Sequence, residues 1–371
     1  MKSAHLDIEA LARPDIRDLL PYQPGKPVAE LERELGISGA VKLASNENPL
    51  GPSPRALEAM RAAAAEVNRY PEGGCFYLRR RLAEMLDVGP EQLVIGSGSN
   101  DLIELLCHVF VAPGDEIVTS QVTFPMYAIG ARISGGRLIA TPARDLHYDL
   151  EAMAAAVTER TKIVFIANPN NPTGLIVTAD QVERFMAAIP ESVLVAFDEA
   201  YIEYVDDPDF PRTLDYLRAG RHVCILRTFS KAYSLAGMRV GYGIMPAATV
   251  GLLNRVRMPF NVTSVAQAGA LAALDDQAHV QRCVQVNRDG MEMLIPALER
   301  LGCEVTPSWA NFLLVRFPGI EDLGELLKGL EQRGVIVRGM VPFGLTEHVR
   351  LSVGLRSENE RLLAALEELL A

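Results

Sequence analysis

Four short stretches of the sequence place polar residues where an ordinary α/β core would not need them. In FDEAY, Asp198 directly follows the apolar run VLVAF. A carboxylate at that edge of a sheet interior costs several kcal/mol if it is buried unpaired, so it calls for a cationic partner. A protonated ring nitrogen of a bound heterocycle would serve, and so would a simpler role as the cap of a following helix. In IGSGSNDLIELL a strand, a glycine-rich turn and a helix start near Ser99 follow one another. Free N–H groups there suit a phosphate, although the spacing is neither G-x-G-x-x-G nor a P-loop, and a plain strand-to-helix turn reads the same way. ANPNNPTG packs two Asn-Pro steps together, predicting a stiff turn with its amides held outward, for ligand contact or for structure alone. Lys231, in TFSKAYSLAGMRVGYG, has small and aromatic neighbours and no charged company until Arg239. Taken alone it reads as an ordinary surface lysine.

The elements that must position these residues follow from the hydrophobic pattern. From about residue 90, the β-branched runs LVIG, EIVTS, RLIAT, KIVFIANP, VLVAFDEA and VCILRTFS alternate with helical segments, which predicts a mostly parallel sheet flanked by helices. Ligands collect at the carboxyl ends of such strands. Ser97 to Asp101, Asn168 to Thr173, Asp198 to Tyr201, and Ser230 with Lys231 all fall at predicted strand ends and so share one rim. Ahead of the sheet, PDIRDLLPYQPGKP suits an extended arm. After about residue 260 long helical stretches surround three strand-like runs, NFLLVRF, GVIVRGM and HVRLSVG, and Ser357 with Glu360 has the spacing of a capping box for the last helix. YLRRRL reads as a solvated helix face.

Composition excludes several classes. The chain has 371 residues, 49% hydrophobic and 22% charged, enough for a large α/β unit and a smaller one. A net charge of −11 with no dense Lys/Arg block argues against nucleic acid. The five cysteines are scattered and the histidines isolated, so neither a disulfide framework nor a metal site is expected. No apolar run approaches the roughly 20 residues that span a bilayer, and the N-terminus lacks a secretory pattern, so a cytoplasmic protein without membrane contact is expected.

Read in order, GSGSND, TFPMY, NPNNPTG, DEAY, SKAYSLAGMRVGYG and VRLSVG resemble the fold-type I pyridoxal-phosphate-dependent aminotransferases of the class II subgroup, over essentially the whole chain. The resemblance implies a large α/β domain with a mostly parallel seven-stranded sheet between helices, plus a smaller α/β domain. It divides the chain into an N-terminal arm and part of the small domain (1–45), a large cofactor-binding domain (46–260) and a small C-terminal domain (261–371). It implies pyridoxal 5'-phosphate as cofactor and Lys231 as the residue that joins its aldehyde as a Schiff base and then carries the substrate proton. Asp198 would pair with the ring nitrogen, Asn171 and Tyr201 would bond the ring oxygen, and Phe124 would stack on the ring. Ser99, Asn100, Ser230 and Arg239 would hold the phosphate; a helix terminus contributes about 0.3–1 kcal/mol to an anion, so the guanidinium is the stronger anchor.

LLPYQPGKP, LASNENPLGPSP, NRYPEG, VIVRGM and HVRLSVG bring the resemblance closer to the histidinol-phosphate aminotransferases. That family implies Tyr22, Asn171, Arg338 and Arg350 as substrate-binding residues, and a homodimer in which Tyr70 reaches the partner's cofactor phosphate. Its substrates would be histidinol phosphate and glutamate or 2-oxoglutarate. An aromatic amino-acid aminotransferase is the alternative within the fold, a phosphothreonine decarboxylase relative a more distant one. A regulator built on the same fold would need a basic DNA-binding module, for which this chain has no spare domain.

Overall fold

The chain folds as a computed structural model that describes residues 8–19 and 25–370. Its strands are β1 Val41–Lys42, β2 Leu93–Gly96, β3 Glu116–Ser120, β4 Arg137–Thr141, β5 Thr161–Ala167, β6 Leu194–Asp198, β7 Val223–Thr228, β8 Gly241–Ile244, β9 Glu304–Thr306, β10 Phe312–Arg316, β11 Val335–Ile336, β12 Arg338–Gly339 and β13 His348–Ser352. Every run expected to form a strand in the first sheet does so. Seven strands lie in the order β2-β8-β7-β6-β5-β3-β4, parallel except that β8 runs antiparallel to both neighbours. The inner strands are buried almost throughout, as a sheet covered by helices on both faces requires, and only the edge strand β4 is largely half-exposed.

The reversal of β8 positions part of the rim. Because it starts where the others end, Gly241 sits opposite Gly96 and Thr228, the last residues of β2 and β7, and Arg239 emerges there two residues earlier. A side chain at 241 would find no room: its Cβ would lie 2.5 Å from the Ser99 nitrogen and 2.9 Å from the Arg227 carbonyl oxygen.

A second sheet, β12-β13-β10-β9, is antiparallel throughout, and β1 pairs with β11 in parallel. Two large hydrophobic cores result. One surrounds the seven-stranded sheet and includes Ala266, Ala270 and Leu274 of the helix Ser264–Leu274. The other joins Leu43, Leu313, Val349 and Leu362. The helix Gln277–Arg300 links them, with Val280 in the first core and Leu294 and Leu298 in the second.

Two expectations are corrected. The described part of the N-terminal segment is not extended: Ile8–Leu11 and Pro14–Arg17 each form one helical turn without buried residues. Pro14 is preset for a first helical turn, and Arg17 donates to the carbonyls of Ala10 and Ala12 at 2.9 and 3.0 Å. Nor do Ser357 and Glu360 form a capping box, since the last helix already begins at Arg356. Glu358 accepts from the Leu355 N–H at 2.7 Å, Asn359 from that of Gly354 at 2.9 Å, and Glu360 pairs with Arg356 at 2.9 Å. A complete box forms instead at Thr178 and Gln181. YLRRRL is helical as expected, within Phe76–Leu86.

Gly241→Ala should therefore wedge β8 away from the start of the helix Ser99–Phe110. The expected cost is about 1–3 kcal/mol, typical of forcing an atom into packed backbone, and thermal denaturation of the variant against the parent chain reads it.

Candidate active site

At the carboxyl ends of the parallel strands a cavity of about 970 Å³ opens between the rim of the first sheet and the strands β12 and β13. Ser99, Asn100, Phe124, Asn171, Asp198, Tyr201, Ser230, Lys231, Arg239, Arg338 and Arg350 all line it. Four strand ends thus deliver their polar residues to one place.

Asp198 is the last residue of β6 and is 5% exposed. Its Oδ2 accepts a hydrogen bond from the Tyr127 hydroxyl at 2.8 Å, while Oδ1 is buried without a hydrogen-bond partner. Burial pushes the carboxyl up to about 6, against the opposing pull of the Tyr127 hydroxyl and the Ala200 N–H. Tyr127 is fully buried and stacks on Phe165 with ring centroids 4.6 Å apart, so its hydroxyl is fixed; it also meets the edge of Phe124 at 5.9 Å.

Lys231 enters from the loop after β7. Its Nζ donates to the carbonyls of Asn46 at 3.2 Å and Ser45 at 3.5 Å, and lies 5.5 Å from the centre of the Tyr201 ring. Burial, then the nearby Arg350 guanidinium, lowers its pKa to about 8. The loop is held by Asn48, whose amide donates to the carbonyls of Lys231 and Ala232. Tyr201 accepts from the Asn46 amide at 2.9 Å.

Across the rim, the helix Ser99–Phe110 starts after Gly98 with no side-chain cap, so its first N–H groups face the cavity's polar edge. Gly98 has φ +86, and a Cβ there would lie 2.7 Å from Nη2 of Arg239, which passes directly over it. Asn100 adds a buried amide oxygen with no hydrogen-bond partner, and Ser230 is held by the Thr228 hydroxyl at 3.0 Å. Helix terminus, hydroxyl and guanidinium together make a built anion cradle.

Arg338 and Arg350 face each other as register partners on β12 and β13. Arg350 donates to Asn171 Oδ1 at 2.6 Å and to the Ala44 carbonyl at 2.9 Å. The expectation of outward amides in NPNNPTG holds only for Asn171. Asn168 and Asn170 are buried and turn inward, Asn168 exchanging hydrogen bonds with Val177 and Asn170 donating to the Val122 carbonyl at 2.9 Å. A buried loop must satisfy its own backbone, and these amides do that. Tyr70 lies apart from the cavity, 83% exposed and stacked on Phe260 at 4.7 Å. Tyr22 lies outside the described residues.

Sequence reading missed Tyr127, Asn46 and Asn48, which touch the key groups rather than carrying them. The family stretches TFPMY and LASNENPLGPSP contain all three, but no role was read for them there. The assembled site offers an unpaired carboxylate oxygen for a ring N–H, an anion cradle at the distance of another strand end, an easily deprotonated amine between them, and two guanidinium groups opposite. It is suited to a flat cationic heterocycle with an anionic tail.

Comparison with known proteins agrees with this chemistry. The family description "Aminotransferase class I and II" matches residues 38–366. A relative from Moorella thermoacetica, named histidinol-phosphate aminotransferase, is 47% identical over 360 residues, covering 97% of this chain and 93% of its own length. One from Pseudomonas aeruginosa, named histidinol-phosphate aminotransferase 2, is 48% identical over 367 residues, with 98% and 99% covered. The solved structure of histidinol-phosphate aminotransferase from Sinorhizobium meliloti in complex with pyridoxal-5'-phosphate superposes with a TM-score of 0.86 at 30% identity, covering 96% of each chain. With a family match spanning most of its length and relatives this similar from end to end, the chain belongs to the class I and II aminotransferases.

Proposed function

We propose that the protein is a pyridoxal-phosphate-dependent histidinol-phosphate aminotransferase, moving an amino group reversibly from L-histidinol phosphate to 2-oxoglutarate to give imidazole acetol phosphate and L-glutamate. The observation that carries this reading is a single cavity in which Lys231 and the unpaired oxygen of Asp198 face a pair of arginines, Arg338 and Arg350. The residues fit the cofactor: its ring nitrogen answers the partnerless Asp198 Oδ1, and its phosphate the uncapped helix start beneath Arg239. When bound, the cofactor supplies an aldehyde that accepts the amino group and a ring that withdraws electrons from the substrate carbon.

The chain's own residues do the rest. Asp198, ionised opposite a ring N–H, keeps that nitrogen protonated. Tyr201 and Asn171 would hydrogen-bond the ring oxygen, Phe124 would cover a ring face, and Ser99, Asn100, Ser230 and Arg239 would hold the phosphate. Lys231 Nζ, lowered toward neutral, takes the proton from the substrate carbon and returns it as acid. Arg338 and Arg350 grip the phosphate ester of one substrate and a carboxylate of the other, since a planar fork serves either anion. Alternation of two substrates on one site gives ping-pong kinetics. Tyr22, outside the described residues, is assigned to substrate binding on the same reading. Tyr70, turned away from its own cavity, contributes to the site of a second copy in a homodimer. The two cores support a division into a large and a small unit joined by the helix Gln277–Arg300. No described helix is long and apolar enough to cross a membrane, and the reading places the enzyme in the cytoplasm.

Amine-selective labelling of the cofactor-free protein, mapped by mass spectrometry, should modify Lys231 half-maximally near pH 8, where surface lysines remain protonated. A midpoint above 10 for Lys231 would remove its assignment as the base. Glutamate-dependent turnover should be dominated by histidinol phosphate over phenylalanine and tyrosine with 2-oxoglutarate, and Arg338→Ala should lower kcat/KM for histidinol phosphate by about 10- to 100-fold, the worth of one charge-assisted hydrogen bond. Dominant phenylalanine turnover would instead make the enzyme an aromatic amino-acid aminotransferase.

A further inference from the structure

Asn46 is 1% exposed and sits at φ +54, a left-handed conformation that asparagine tolerates better than most residues. LASNENPLGPSP contains it without giving it a role, yet every polar atom it has is engaged. Its N–H donates to Ser352 Oγ at 2.8 Å, and its Oδ1 lies 3.3 Å from the same hydroxyl. The serine oxygen already accepts the N–H, so its proton goes to Oδ1. That contact fixes the amide, leaving the NH2 end toward Tyr201, whose hydroxyl oxygen accepts from Nδ2 at 2.9 Å. The backbone carbonyl of Asn46 accepts from Lys231 Nζ at 3.2 Å and from Asn311 Nδ2 at 3.0 Å.

A phenol has one proton and cannot point it at an N–H donor. With the amide occupying one side of the oxygen, the Tyr201 proton is turned away from Asn46, and Tyr201 lines the cavity. We propose that Asn46 is a positioning residue: by donating to Tyr201 it aims the tyrosine's hydroxyl proton into the cavity, toward the ring oxygen of the bound cofactor. This rests on the reading of Tyr201 as the donor to that oxygen. The position requires a left-handed backbone, a donor for Tyr201 and an acceptor for Ser352 at once. Glycine supplies only the first, and aspartate replaces the donor with an acceptor that would draw the Tyr201 proton back. Both clamps on Asn46 come from the second unit, Ser352 ending β13 and Asn311 preceding β10. The aim of the hydroxyl is therefore set by how the two cores meet.

The test is a double-mutant cycle on the holoenzyme, read as the pH midpoint of the bound cofactor's visible absorbance. Donation to the ring oxygen draws charge from it, so losing the donor makes the proton shared with Lys231 harder to remove and moves the midpoint up. Tyr201→Phe should raise it by about 1 pH unit, the usual effect of one hydrogen bond to a charged form. Asn46→Gly keeps the left-handed backbone and the carbonyl; it should raise the midpoint by roughly half as much when Tyr201 is present and leave it unmoved in the Phe background. Asn46→Asp adds a charge, and its shift should be larger with Tyr201 than with phenylalanine. Equal shifts in the two backgrounds, or none with Asn46→Gly, would overturn the inference while leaving the function intact. A midpoint unmoved by Tyr201→Phe itself would sink the role given to Tyr201, and the inference with it.

Discussion

A carboxylate sealed at the end of a central strand, with one oxygen satisfied and the other partnerless, is the constraint around which the site is arranged. Tyr127 meets half of the demand of Asp198 and burial denies it water for the rest. Without a cation, the folded carboxyl holds its proton to about pH 6 against the ordinary aspartate value of 3.8. The folded state then binds more protons than the unfolded chain between roughly pH 4 and 6, so stability falls as pH rises through that window. A cationic ring bound opposite reverses the sign, because it favours the ionised carboxylate that the empty fold disfavours. The fold is thus incomplete in a specific sense: the charge at the end of β6 is compensated by what the cavity binds. Lys231 presents the complementary case, a cation whose burial favours the neutral form.

The surroundings of that carboxylate are supplied by two cores rather than one. Residues at the ends of β2, β5, β6 and β7 form the floor, and β12, β13 and the loop after β1 form the opposite wall. Four cationic side chains, Lys231, Arg239, Arg338 and Arg350, line the cavity with the carboxylates of Asp198 and Glu47. In a chain of net charge −11 this is a local reversal of field, and it favours ligands carrying phosphate or carboxylate. Arg350 crosses the seam to Asn171, and Asn46 crosses it through Ser352, Asn311, Tyr201 and Lys231. Any shift of the second unit against the first must move these hydrogen bonds together.

What could be read from the sequence divides along the same physical line. Strands buried on both faces announce themselves as unbroken apolar runs, so β2 to β7 and their rim residues were legible, and with them Asp198, Lys231 and the helix start at Ser99. β8 was not, because Gly241 and Gly243, needed for close approach to Ser99 and Leu102, erase the strand signature of GYGI. Strands of two or three residues such as β1 and β9 are too short to show a period, and GVIVRGM, legible as one strand-like run, divides into β11 and β12 in two different sheets. Tyr127 and Asn46 act across 71 and 155 residues of chain, a separation for which local pattern carries no information. The capping box at Ser357 failed for a related reason: spacing alone does not say which residue opens the helix when Glu358 and Asn359 can satisfy the preceding N–H groups from inside it.

The outlying position of Tyr70 bears on the proposed homodimer. Tyr70 is 83% exposed, Tyr77 71% and Met258 75%, and Tyr70 lies flat on Phe260. The two segments are tied by Arg257, whose guanidinium donates to the Gly73 carbonyl at 2.6 Å. Large aromatic and thioether side chains grouped in this way on a single copy favour a partner surface. Phe260 is followed by Asn261, which donates to Asp101 at 3.0 Å, and the same Asp101 oxygen accepts the Ser97 N–H at 2.8 Å. The apolar patch is therefore anchored to the first turn of the helix that forms the anion cradle. In the proposed isologous pair the patch would meet its own copy, the arrangement that the assignment of Tyr70 to the other subunit's phosphate calls for.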